Sequence, residues 1–339
     1  MQEMKFIKIK YFLSIPILIF IIIAVLIILF VPGQKKPPAS PQQLESLVST
    51  KAPFDLPGTE ARYADNIAYD IYPDTVFDLY IPKSADPVPL VIYFHGGSFF
   101  DGSRKDVQQG KLSETVSMLL ESGIALISAD YRVIDAAGDE LPISRQIENC
   151  GNVIQFIFDS VQILGIDPER VALAGEGIGG GIALWYAFQN ENGSRIPYPF
   201  LASASRNGPA TFHFEVWAAM DEMFPEITNP DSYIRSLTLE TTSRNFNPDN
   251  SILELDMLSM ITPNTPPVWI QNTISQYNPP ETVSDILQHP AQAYALWKTM
   301  TEAGLRDHSV WYLEADSIKD PSCETMADFF IRILMTGIE

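Results

Sequence analysis

Two glycine-rich segments have the residue types and the setting to stabilise negative charge. The first, His95-Gly96-Gly97-Ser98-Phe99, closes the apolar run PLVIYFH at residues 89–95. Glycines at the carboxyl end of a strand let backbone N–H groups turn into a cleft, where they can hold an oxyanion. The second, Ala174-Gly175-Glu176-Gly177-Ile178-Gly179-Gly180-Gly181, has the pattern of a strand that turns directly into a helix. Gly177 stands in the middle of that turn. Glycine tolerates the positive φ of a sharp turn but carries nothing that can attack a carbonyl.

The groups that could assist are few. A Ser–His pair needs contact at about 2.6–3.2 Å, and the chain has four histidines to offer one. His95 sits in the first glycine loop, where it braces the loop, and Gly96 shares that role. His213 opens an irregular stretch, His289 precedes Pro290 at a helix start, and His308 precedes the last strand, at the end of the sheet away from the glycines. Glu176 flanks Gly177 and could act as a base, although a solvated acidic neighbour is the simpler reading. HExxH, GKS/T and EF-hand patterns are missing, so neither a metal site nor a cofactor is expected. Cys150 and Cys323 are too few for a disulfide scaffold.

Around these segments, apolar runs alternate with helical patterns. Residues 62–69 and 76–81 read as short alternating strands, and 89–95, 124–128, 171–174, 200–203, 267–271 and 309–313 as further strands. The continuous runs among them are those of strands buried on both faces. Helical periodicity covers 111–121, 143–164, 178–188 and 321–335. Strand–helix alternation of this kind predicts a mostly parallel sheet covered on both faces.

The two glycine segments, with Ala129-Asp130-Tyr131-Arg132 and Ile166-Asp167-Pro168-Glu169-Arg170-Val171 between them, resemble the α/β-hydrolase family. The resemblance covers roughly residues 70–337 and is strongest to the HGG-type esterase/lipase branch, hormone-sensitive-lipase-like and BD-FAE-like carbohydrate esterases. It implies an eight-stranded, mostly parallel sheet with helices on both faces and a cap insertion at about 212–263. It also implies an oxyanion hole from Gly97, Ser98 and Ile178, and an elbow shaped by Gly175, Glu176 and Gly179. The resemblance puts Cys150 and Cys323 on helices covering opposite faces, beyond the roughly 7 Å limit for a bridge.

The chain departs from that pattern where the family does its chemistry. The serine of GxSxG is Gly177 here. Aligning Pro279 with the proline of HGxxDxxVP puts Ser275 at the acid's position, and the histidine's position falls near Ser317. The resemblance therefore implies a degenerate triad. The expected protein binds a small acyl or glycosyl ligand in the cleft, or a protein partner through the cap, without turnover. An active carboxylic-ester hydrolase with another constellation remains the alternative.

The remaining sequence sets the context. The 339 residues carry a net charge of −20, but residues 1–36 hold five Lys and one Glu, leaving −24 on the other 303. So acidic a domain repels phosphate backbones, which excludes nucleic-acid binding. Residues 11–32 contain no charge, and about 20 apolar residues at ~1.5 Å each cross a ~30 Å hydrocarbon core. The expected organisation is a tail at 1–10, a signal-anchor helix at 11–32, a Pro/Gln/Ser-rich linker at 33–60 and the hydrolase-like domain at 61–339. Lys5, Lys8 and Lys10 against Lys35 and Lys36 tip the main domain to the outer side of a cell membrane. The sequon Asn192-Gly193-Ser194 reads as incidental.

Overall fold

The buried apolar runs become one eight-stranded sheet: β1 (Ala61–Ala68), β2 (Val76–Pro82), β3 (Val88–Phe94), β4 (Ala125–Ala129), β5 (Ile166–Glu176), β6 (Ala202–Arg206), β7 (Val268–Asn272) and β8 (His308–Tyr312). The structure is a computed structural model that describes residues 38–40, 44, 61–97, 101–133, 143–189, 198–212, 256–274, 283–305, 307–312 and 324–336. The strand order is β1-β2-β4-β3-β5-β6-β7-β8. β2 runs antiparallel to β1 and β4, and every other pair is parallel. The register brings the carboxyl ends of the central strands to one edge. Phe94 pairs with Gly175, Glu176 with Arg206, and Arg206 with Gln271.

Among the described residues six helices accompany the sheet: α1 (Gly110–Glu121), α2 (Ile143–Leu164), α3 (Ile178–Phe188), α4 (Val283–Leu287), α5 (Pro290–Ala303) and α6 (Met326–Thr336). The period-2 alternation of a strand divides β3 between two cores. Leu90, Ile92 and Phe94 face one core with α2, α3 and α5, and Val91 and Tyr93 face the other with α1 and α6. Every residue of α3 is buried, which is why IALWYAF has no polar stripe. Cys150 is free and buried in the first core, where desolvation pushes its thiol up. α6, just after Cys323, packs in the second core. Cys323 itself lies outside the described residues.

Several boundaries differ from the sequence expectation, α6 starting at Met326 rather than 321 among them, and at two a local reason is visible. β5 begins at Ile166 rather than 171 because Ile166 already pairs with Val88 before a register shift, and Asp167 closes that irregular start by accepting from Glu169 N and Arg170 Nε. β6 runs on to Arg206 because Ser203 and Ser205 are buried between β5 and β7, although their polarity ends the apolar run at 203.

Other expectations fall partly or wholly outside the described residues, as do 11–32. Among the described residues no helix is long and apolar enough to cross a membrane. Within the expected linker, Ala39 N–H bonds Ala68 O and Leu44 packs into the core. Of the expected cap, 213–255 are not described. By Met257, which is fully buried, the chain has rejoined the core.

Candidate functional site

β5 turns into α3 at Gly177, with φ 52° and ψ −126°. Gly177 N–H donates to Arg206 O at 2.8 Å, and Gly177 O accepts from Gly181 N at 3.1 Å, so both neighbouring elements fix the turn. The glycines around it are there for space. A Cβ on Gly175 would stand 2.3 Å from the Gly179 carbonyl carbon, one on Gly179 2.3 Å from Phe94 O and His95 O, and one on Gly180 2.4 Å from Ser205 Oγ. Gly181 would meet Pro209 Cγ at 2.7 Å. Gly177 is the exception. A Cβ there meets Gly96 Cα at 3.6 Å, Gln288 Nε2 at 3.8 Å and Gly97 N at 4.0 Å, all ordinary contacts. The turn has the backbone of a residue presented to the cleft, and room for its side chain.

The opposing loop is folded back on itself. Gly97 sits at φ 115°, and Asp101 N–H donates to its carbonyl at 3.1 Å. A Cβ on Gly97 would lie 1.9 Å from Asp101 O, so only glycine fits. This brings Gly97 N–H beside Gly177, as the oxyanion reading requires. Ile178 opens α3 and its N–H has no partner within the helix. Ser98 lies outside the described residues.

His95 braces this loop from behind. The ring is 1% exposed and stacks on Tyr131 at 4.3 Å, with Tyr131 Oη donating to His95 O at 2.8 Å. Its Nδ1 lies 2.7 Å from Gly96 O, which assigns the proton to that nitrogen. Nε2 is 3.8 Å from Asp130 Oδ1, too far for a hydrogen bond. Burial lowers the imidazole's pKa, while the Gly96 carbonyl and Asp130 act more weakly the other way. Protonation is therefore easier in the unfolded chain. The stability His95 contributes is full above the unfolded value of about 6.5 and drains as pH falls below it. Between pH 7 and pH 5 the wild-type melt should lose up to about 2 kcal/mol more than His95→Asn. Equal losses would show that the ring titrates freely.

The far end of the loop is tied down by charge. Arg104 opens a 3-10 turn, Arg104–Gln108, capped by Ser103. Its guanidinium donates to Asp78 Oδ1 at 2.8 Å and to Asp130 Oδ2, and its backbone N–H reaches Asp130 Oδ1 at 2.6 Å. Lys105 Nζ lies 2.6 Å from the other oxygen of Asp78, which is wholly buried. Asp130 and Tyr131 thus hold the two ends of the glycine loop, and their part in the site is structural.

The carboxyl end of β7 contributes Asn272. Its Nδ2 donates to Gln288 O at 2.8 Å and its Oδ1 accepts from Ile274 N at 2.9 Å. Sequence reasoning missed Gln288, which the corner between α4 and α5 delivers to Gly177. The signal for it was Pro290, the first residue of α5. That start places residue 288 at the same sheet edge as the glycine segments. Ser275 and Ser317 lie outside the described residues. Glu176 is half-buried, with Oε1 3.9 Å from Arg206 Nε. His289 caps α5, its Nδ1 accepting from Ala291 N at 3.1 Å. His308 pairs with Val268 at the amino ends of the strands, away from the site, as the sequence reading had it. His213 is not described.

Comparison with known proteins agrees with this geometry. The family model BD-FAE matches residues 77–229. The human hormone-sensitive lipase is 28% identical over 141 residues, 40% of this chain and 12% of that protein. Carboxylesterase NlhH of Mycobacterium tuberculosis is 27% identical over 118 residues, 34% of each chain. The match thus spans no more than about a third of either relative's length. Among solved structures, a bacterial heroin esterase superposes with a TM-score of 0.55 at 20% identity, covering 85% of this chain and 87% of that one. The chain therefore has the α/β-hydrolase fold and is carboxylesterase- and lipase-like in sequence.

Proposed function

We propose that this is a membrane-anchored, carboxylesterase-like protein that holds a carbonyl or carboxylate group over Gly177 and leaves it unchanged. The observation behind the reading is the turn at residue 177: it keeps the backbone and the side-chain room of a nucleophile's position, yet carries glycine. Donors on a helix N-terminus and a glycine loop attract an oxygen whether or not a nucleophile is present. Each described histidine is already engaged: His95 with Gly96, His289 with Ala291, His308 with Leu305. The uncharged run at 11–32 supports the anchor. A cleft of this kind suits a small acyl or glycosyl ligand.

Similarity to carboxylesterases favours a second reading, an active ester hydrolase that uses residues outside those described. One assay separates the two. The full chain in mild detergent is expected neither to hydrolyse p-nitrophenyl butyrate above background nor to react with a fluorophosphonate probe. Turnover that the probe blocks would establish the second reading.

A further inference from the structure

We infer that the Gln288 carboxamide occupies the place of the general base at this site and is the side chain that touches a bound ester or carboxylate. The inference rests on the reading of Gly177 as the nucleophile's position. Gln288 Nε2 lies 3.8 Å from where a Cβ on Gly177 would stand, and Gly97 N lies 4.0 Å from the same point. A base must approach the nucleophile's hydroxyl to about 2.6–3.2 Å. A nitrogen at this distance from the Cβ is within reach of a hydroxyl attached to that carbon.

Gln288 is held in place at both ends. Asn272 Nδ2 donates to its carbonyl at 2.8 Å, and its own N–H donates to Ser284 O at 3.0 Å. Its Nε2 donates to Ser284 Oγ at 2.9 Å. A carboxamide nitrogen has two hydrogens, so one remains for a ligand. Gly97 N–H, which has no hydrogen-bond partner among the described residues, flanks the same point. Two donors around one point match a carbonyl or carboxylate oxygen. A neutral carboxamide does not take up a proton at neutral pH as imidazole does, so Gln288 holds the ligand where a histidine would activate the hydroxyl.

The test is the double variant Gly177→Ser/Gln288→His in the full chain, assayed with p-nitrophenyl butyrate. The introduced hydroxyl would attack the ester carbonyl and pass its proton to the introduced imidazole as p-nitrophenolate leaves. Water would then release butyrate from the acyl-enzyme by the same route. Hydrolysis should exceed that of Gly177→Ser alone by about 100-fold or more, the usual contribution of a positioned base. Gly177→Ser/Ser317→His should not match it. In parallel, Gln288→Ala in the otherwise native chain should weaken butyrate binding, followed by NMR titration, by about 10-fold or more for one lost hydrogen bond to a charged group. This second arm decides the matter if the double variant fails to fold. Unchanged butyrate affinity in Gln288→Ala, or faster hydrolysis with the histidine at 317 than at 288, would overturn the assignment of Gln288 and leave the binding role of the cleft standing. Ester turnover by the native chain would instead sink the binding role itself, and this inference with it.

Discussion

Gly179→Ala is expected to destabilise the protein by about 3–5 kcal/mol, enough to unfold much of it, although it adds a single methyl group. That methyl would sit 2.3 Å from both Phe94 O and His95 O and 2.6 Å from the Phe94 carbonyl carbon. None of these atoms ends a flexible side chain. To relieve the contact, α3 must lift off β3, which would break the packing of a helix buried on every side. Gly177→Ser adds more atoms and should cost far less, about 1–3 kcal/mol for a non-glycine residue at φ 52°, because its surroundings are open. Thermal melts of the two variants side by side check the order. An alanine at 179 tolerated as well as a serine at 177 would show that β3 and α3 are not in this contact.

Arg104→Met should cost about 3–5 kcal/mol, the usual penalty for removing one partner from a buried ion pair. Arg104 is 11% exposed and bridges two carboxylates, and Asp78 is fully buried. Without the guanidinium, Asp130 has lost its ion-pair partner and Asp78 keeps one cation among the described residues, Lys105, beside the hydrogen bonds it accepts from Tyr63 Oη and Asn66 N. Lys105→Met should cost less, because Lys105 is 36% exposed and its removal leaves Asp78 paired with Arg104. The loss at Arg104 should persist in 0.5 M salt, since buried pairs are weakly screened. Denaturant melts at low and high salt read both points. Equal effects of the two substitutions would mean that Arg104 is not the centre of this network.

How much of this could be read from the sequence depended on whether a residue's role followed from its neighbours in the chain. β3 was legible because seven consecutive residues are buried on both faces, which demands an unbroken apolar run. β6 was placed too early, because Ser203 and Ser205 are buried by the strands on either side, a fact of tertiary pairing that polarity conceals. At the site, the glycine turns at Gly97 and Gly177 stood out as strand-end glycine clusters, and it was the family resemblance that singled out Gly177 among them. Gln288 was not legible, because its position depends on Asn272 clasping its carbonyl across 16 residues. His289 illustrates the converse. Its place before Pro290 already marked a helix cap, and a cap is what it forms.

The glycines around the turn also bear on how a motif of this kind is to be read in other chains. Substitution at 175, 179 or 180 is a folding defect, so selection for a folded domain keeps those positions as glycine even after all chemistry has stopped. Residue 177 is bound by no such packing requirement and is free to drift once turnover no longer matters. A count of glycines in the motif therefore measures whether a helix still rests on its sheet. The identity of the one residue among them with space for a side chain carries the information about reactivity.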